Sequence, residues 1–301
     1  MMEKLSCSLG VFCHNEAGNI LLLLESLLSQ ELQKVEITEI IVVSSASTDG
    51  TDDLVKSFAE KEPKVKLLTQ AKREGKSSAI NLFLATAKEP LAVIISGDVI
   101  PAEDAIEKLV SALGDPKIGA TGGKPVPSNL EKDFTGYCVQ LLWRLHHRMA
   151  LISPKLGEMI AFRKVMDSIP RDSAVDEASI EAIIKAKGLK LKYIPTALIH
   201  NRGPKYLKDF IKQRRRIQNG HLWLQSKQHY EVASQDSRIL IKVILAELHD
   251  NPFTAIKLAA FLAIELYSRL LGTWDYKVKG KNPFAWEIAT SAKKPASGAT
   301  P

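Results

Sequence analysis

The sequence predicts an α/β fold, with a mostly parallel central sheet flanked by helices and amphipathic helices at the C-terminal end. Three observations lead there. In the first half, short β-branched and nearly all-apolar runs alternate with longer runs of helical period. The apolar runs lack polar alternation, as strands covered on both faces do. Composition is that of an ordinary globular chain, 301 residues with 45% hydrophobic and 25% charged. That is enough to bury a full core, and it excludes disorder, a collagen repeat and a disulfide scaffold.

Taken in order, Ser8–Cys13 reads as a short strand and Asn19–Leu32 as a helix with Asn15 or Asn19 as N-cap. Glu39–Ser44 (EIIVVS) is a strand, Asp49–Glu60 a helix, Val65–Thr69 a strand, Ser77–Ala87 a helix and Leu91–Ser96 a strand. Helix Ala102–Leu113 and strand Gly119–Gly123 complete this rhythm, which directs ligand contacts to the carboxyl ends of the strands. Beyond Pro127 the alternation loosens. Phe134–Leu151 has helical length, Glu158–Phe162 suits a strand, Ala178–Lys187 a helix and Leu191–His200 one or two short strands broken at Pro195. Tyr206–Gln228 reads as a basic helix, and Lys293–Pro301 as a disordered tail.

Two apolar stretches, Ile239–Leu248 and Phe253–Leu271, are separated by Asp250-Asn251-Pro252. The second has the length of a membrane span but carries Lys257, Glu265 and Arg269. At ~100° per residue these fall on one side of a helix, with Leu258, Phe261, Leu262, Leu266 and Leu270 elsewhere. Both a helix packed on the protein's own core and one lying in a membrane interface fit that pattern.

The net charge of +7 has a location. Arg202, Lys205, Lys208, Lys212, Arg214, Arg215 and Arg216 stand within fifteen positions that hold one acid, Asp209. Such a patch attracts anions. The N-terminus has no secretory signal, and three scattered cysteines, Cys7, Cys13 and Cys138, fit a reduced compartment. A cytoplasmic location, peripheral on the cytosolic membrane face, is the expectation.

Glu74–Ala79 (EGKSSA) imitates the end of a P-loop, but the glycine needed five positions before Gly75 is Gln70. A GxGxxG fingerprint is also absent, which argues against a nicotinamide enzyme. Polar clusters remain at strand ends: His14-Asn15-Glu16, Ser44 to Thr51, and Ser96-Gly97-Asp98. Asp98 suits a hard divalent cation shared with a diphosphate, or alternatively the cap of the next helix.

The series VFCHNEAGN, VVSSASTDGT, EGKSSAIN, ISGDVIP, GEMIAFRK, VDEASIEAIIKAKG and QRRRI resembles the family 2 glycosyltransferases of the GT-A fold, in the family's order over residues ~6–225. The resemblance implies an inverting transfer of a sugar from a nucleotide-diphosphate donor, UDP- or GDP-linked, to an acceptor hydroxyl. It places His14, Glu16, Ser45, Lys76, Asp98, Gln213 and Arg216 around the donor, with Asp98 as the ligand of Mg²⁺ or Mn²⁺. It makes the acidic pair catalytic, with Glu177 as base and Asp176 as the alternative.

The chain departs from the family pattern at several positions. Phe12 replaces a proline, Ser44 and Ser45 replace two aspartates, Ser96 replaces the first aspartate of the DXD triplet, and Ile217 replaces the tryptophan of QxxRW. The charge of a base-recognising aspartate is thereby lost. His200 is a further metal-ligand candidate, with a structural role as its alternative. In this reading Arg216 points inward to the leaving diphosphate, while Lys205, Lys208 and Lys212 face lipid headgroups.

The implied acceptor is lipid-linked or a glycan, the surface an anionic membrane, and nucleic acid is not a partner. The expected organisation is a catalytic unit over 1–228, a helical region over 229–292 and a tail over 293–301. Two alternatives differ in class. A catalytically degenerate nucleotide-sugar-binding relative is suggested by the serines, and a sugar-phosphate nucleotidyltransferase is disfavoured because no Gly-rich basic loop follows the first strand.

Overall fold

The computed structural model describes residues 4–282 and Phe284. The tail over 293–301 and the end of the 229–292 region lie outside the described residues. The chain runs β1 (Leu5–Cys13), α1 (Ile20–Leu28), β2 (Val35–Ser45), α2 (Thr51–Ala59), β3 (Val65–Gln70), α3 (Lys76–Thr86), β4 (Leu91–Ser96), β5 (Ile100–Pro101) and α4 (Ala105–Ser111). It continues with β6 (Ile118–Pro127), α5 (Phe134–Ile152), β7 (Met159–Arg163), α6 (Asp176–Ala186), β8 (Lys190–Asn201), α7 (Leu207–Gln228), α8 (Ser237–Asp250) and α9 (Ala255–Lys277).

All eight strands join one sheet in the order β3-β2-β1-β4-β7-β6-β8-β5. The first four are mutually parallel, so their carboxyl ends share one edge. Strand β7 then runs antiparallel to both β4 and β6, and β8 returns parallel to β6. The antiparallel insertion brings the start of β7 to the edge where β4 ends.

The unbroken apolar strands have the cause their sequence suggests. Along β2, Ile40 and Val42 enter the core beneath α1, α2 and α4, while Ile41 and Val43 enter the core beneath α3 and α6. Alternate side chains point to opposite faces, so a strand covered twice must be apolar throughout. Strand β2 begins earlier than the apolar run because Glu39, though buried, is satisfied: Ser8 Oγ, Lys88 N and Lys66 Nζ each donate to it at 2.8 Å. Strand β8 is one element rather than two. Its register against β6 jumps from Gly123↔Ile194 to Lys124↔Leu198, so Pro195, which has no N–H for the ladder, sits in an irregularity.

The C-terminal helices pack on the protein, with Tyr137, Leu141, Phe210, Val243, Leu258 and Phe261 forming a core of their own. Glu265 and Arg269 of the polar side of α9 face inward beside Leu258 and Phe261, while Lys257 is exposed, which the helical wheel does not reveal. Glu265 accepts from Arg214 Nε and Nη2 at 2.8 Å each and from Arg269 Nε at 2.9 Å, and Asp275 is gripped by both ends of the Arg215 guanidinium. Leu266 and Leu270, by contrast, are 60% and 61% exposed. The α7 arginines cause this inversion, because a buried carboxylate is tolerated only where it is paired and hydrogen-bonded. Two of the basic residues predicted to form an anion-attracting patch are therefore neutralised from within.

Candidate active site

A cavity of about 490 Å³ opens at the carboxyl edge of the parallel strands. His14, Ser45, Lys76, Asp98, Asp176, Glu177, Gln213 and Arg216 all line it. They come from the ends of β1, β2 and β4, the first turns of α3 and α6, and the middle of α7. Glu16 is not among the lining residues. It is 5% exposed and holds the loop behind the wall, accepting from Asn19 Nδ2 at 2.8 Å while its own N–H donates to Thr51 Oγ1 at 2.9 Å.

The β1 and β2 loops are clasped to each other. His14 Nδ1 donates to the Ser45 carbonyl at 2.6 Å, Asn15 N to Ser47 Oγ at 3.0 Å, and Thr48 N to Asn15 Oδ1 at 2.8 Å. Asn15 and Ala46 both adopt left-handed backbone, with φ of 55° and 54°, to make this clasp. The two serines that replace aspartates have partners within the protein: Ser44 Oγ donates to Ser47 Oγ and Ser45 Oγ to Gln70 Oε1. At the end of β4, a side chain on Gly97 would press Cys13 Cβ and Glu16 Cγ at 3.0 and 3.1 Å. Glycine there lets Asp98 sit close against the β1 loop.

The acidic pair occupies the first turn of α6, which begins two residues before the predicted Ala178. Ser77 Oγ donates to Asp176 Oδ1, and Lys76 Nζ donates to Glu177 Oε1 at 2.7 Å. Burial raises both carboxyls, but Lys76 overcomes this at Glu177 and leaves it below the usual range. At Asp176 burial prevails over Lys76, with the neighbouring Glu177 charge adding to it, and the carboxyl is raised. Burial also lowers Arg216, against the attraction of Asp176 and Glu177. Within one pair, Lys76 draws one carboxyl below its usual range and burial lifts the other above it.

Several lining residues were not singled out as site residues from sequence. Arg73 precedes α3. Glu158 immediately precedes β7 in left-handed backbone, φ 62°, and its carboxyl is pushed up to about 7 by burial and by Asp98 and Glu177. Deeper in, Lys155 Nζ donates to Ser234 Oγ, and Glu181 accepts from Leu156 N and Tyr230 Oη. An apolar flank of Leu142, Met149, Leu240 and Phe261 adjoins this network. Only the acid in GEMIAFRK was visible as a signal beforehand. His200, the further ligand candidate, is exposed, whereas its neighbour Asn201 is 7% exposed and lines a smaller adjoining cavity of about 210 Å³. Lys212 lines that smaller cavity too, rather than projecting into solvent with Lys205 and Lys208.

Among the described residues no three His, Cys, Asp or Glu side chains cluster as a metal centre. The donors near Asp98 are oxygens, which suit a hard cation that leaves positions for diphosphate oxygens. The buried Asn201 Oδ1, which has no hydrogen-bond partner among the described residues, adds one more.

A family model described as glycosyl transferase family 2 matches residues 8–174. A poly-beta-1,6-N-acetyl-D-glucosamine synthase of Staphylococcus aureus (strain MSSA476) is 28% identical over 223 residues, covering 69% of this chain and 53% of that protein. The chain thus spans about half the length of that relative. Glycosyltransferase AglE of Haloferax volcanii is 26% identical over 110 residues, 36% of each chain. Among solved structures, mannosyltransferase PcManGT from Pyrobaculum calidifontis, in complex with GDP-Man and Mn²⁺, aligns with a TM-score of 0.59 at 24% identity over 92% of this chain and 81% of that one. This likeness shows that the two share a fold, the GT-A arrangement that the motif order implied. With its family model covering more than half of the 301 residues, the chain belongs to glycosyltransferase family 2.

Proposed function

We propose that this chain catalyses inverting transfer of a sugar from a nucleotide-diphosphate donor to an acceptor hydroxyl. The observation that carries this is the meeting of Lys76, Asp98, Asp176, Glu177, Gln213 and Arg216, from four separate places in the fold, in one cavity. Glu177 is the base in this reading. It takes the acceptor proton as the new bond to the anomeric carbon forms and the bond to the diphosphate oxygen breaks on the opposite side. Its lowered pKa keeps it ionised at neutral pH, and Lys76 fixes its orientation at 2.7 Å. Arg216 and Lys76 supply positive charge where the leaving diphosphate gains negative charge.

Asp98 is the residue that would hold Mg²⁺ or Mn²⁺. When bound, such an ion neutralises the diphosphate oxygens. The mannosyltransferase determined with GDP-Man and Mn²⁺ supports both a divalent ion and a nucleotide-sugar donor for this chain. The apolar flank beside Phe261 supports a lipid-linked or similarly amphiphilic acceptor, and the poly-N-acetylglucosamine synthase relative supports a glycan one. Exposed Lys205, Lys208 and Tyr206, together with the exposed apolar residues of α8 and α9, favour peripheral attachment to an anionic cytosolic membrane face. Among the described residues no helix is long and apolar enough to cross a membrane.

Thermal shift and donor hydrolysis with UDP- and GDP-sugars, with and without Mn²⁺, test this reading. Stabilisation that needs the ion is expected with one donor class and is lost in Asp98→Ala. Indifference to every nucleotide would remove the donor site from the proposal.

A further inference from the structure

Ser96 leaves the triplet Ser96-Gly97-Asp98 with one carboxylate, yet two strand ladders bring other oxygens to the same place. Strands β4 and β7 pair antiparallel, with Ile95 opposite Met159. The ladder ends at that pair, which leaves Glu158 just before β7 and Ser96 at the end of β4 on the same edge of the sheet. Strands β5 and β8 pair antiparallel with Ile100 opposite His200, which carries Asn201 to the level of Val99, one residue past Asp98. Asp98, Glu158 and Asn201 accordingly share the wall of the cavity of about 210 Å³ that adjoins the main one.

Two features of these residues have no role in the fold itself. Glu158 adopts left-handed backbone, φ 62°, which a side chain bearing Cβ disfavours and a glycine would adopt freely. Asn201 is 93% buried by its 7% exposure, and its amide donates to Glu158. Its Oδ1 is without a hydrogen-bond partner among the described residues. A buried amide oxygen left this way is destabilising unless something meets it. Two carboxylates and an amide oxygen, with no sulfur or imidazole, form a donor set for a small hard cation and leave coordination positions for diphosphate oxygens.

We propose that Glu158 and Asn201 complete a divalent-cation site on Asp98, with Glu158 replacing across the sheet the carboxylate that Ser96 lacks within the triplet. This rests on the metal-assisted donor reading above, and the test separates the two. Mn²⁺ binding is read directly, by loss of the free-ion electron paramagnetic resonance signal in the presence of UDP or GDP. Folding of each variant is checked by its thermal transition.

Glu158→Gln is expected to weaken Mn²⁺ at least tenfold and Asn201→Ala several-fold. Adding Ser96→Asp to Glu158→Gln is expected to restore binding to within a few-fold of the starting protein, since the carboxylate returns from the other strand. Tight Mn²⁺ binding by Glu158→Gln, alongside its loss in Asp98→Ala, overturns the proposal and leaves the metal reading intact. Absence of Mn²⁺ binding in the unaltered chain with either nucleotide overturns both. Should Glu158→Gln fail to fold, Asn201→Ala decides, and unchanged affinity there overturns the proposal.

Discussion

Asp176 and Glu177 are neighbours with the same chemistry whose pKa values move in opposite directions, up by burial at Asp176 and down by Lys76 at Glu177. A hydroxyl, Ser77, faces one, and an ammonium, Lys76, faces the other. The carboxyl held below its usual range is the one proposed to accept the proton. Glu177→Gln is therefore expected to retain donor binding and to lower transfer by about 10²–10⁴-fold, the usual contribution of a positioned base. Asp176→Asn is expected to keep transfer within about tenfold, because that side chain is already engaged by the Ser77 hydroxyl and an amide oxygen can accept the same bond. Steady-state kinetics of the two variants decide the assignment, and the reverse pattern would make Asp176 the base. The family resemblance singled out the pair, but its division of labour was not legible, because Lys76 lies 101 positions away.

At the scale of elements, α7 and α9 meet through charge and through one glycine. A Cβ on Gly272 would stand 2.4 Å from the Arg215 carbonyl, so Gly272→Ala forces the helices apart. The expected loss is about 1–3 kcal/mol, typical of overpacking, seen as a lower urea midpoint. Glu265 is the second support. Burial raises its carboxyl, but Arg214 and Arg269 bring it down to about 2 from an ordinary 4.5.

A carboxylate lowered on folding adds stability that is complete above its unfolded pKa and is lost as pH falls through its folded one. The contribution of Glu265, on the order of 3 kcal/mol at about 1.4 per pKa unit, is thus complete at pH 7 and declines between about pH 4.5 and 2. Glu265→Gln is expected to cost about that much at pH 7 and half or less at pH 3, measured by urea unfolding. An equal loss at both pH values would show that packing rather than charge holds the contact. The helical wheel placed Glu265 and Arg269 together on one side of α9, but their inward direction depended on α7, which the wheel does not contain.

Across the whole molecule, α8, α9 and the turn between them present Ile241, Leu245, Phe253, Ile256, Leu266 and Leu270 outward. Lys205 and Lys208 flank the exposed ring of Tyr206 on α7's leading edge. Cosedimentation with anionic vesicles at low salt is expected, and it should fall when Lys205 and Lys208 are both changed to Glu or when salt reaches about 0.5 M. Persistence in the supernatant would restrict these helices to packing roles. The sequence by itself determined the alternation of strands and helices and the parallel first half, because these follow from local periodicity, and its family resemblance singled out eight residues that line the cavity. It could not decide that Glu16 stands behind the cavity, that Asn201 rather than His200 turns inward, or that Glu158 joins Asp98 in the wall of one cavity. Those facts depend on strand register between distant segments, where a shift of one residue reverses every side chain, and only the assembled sheet sets that register.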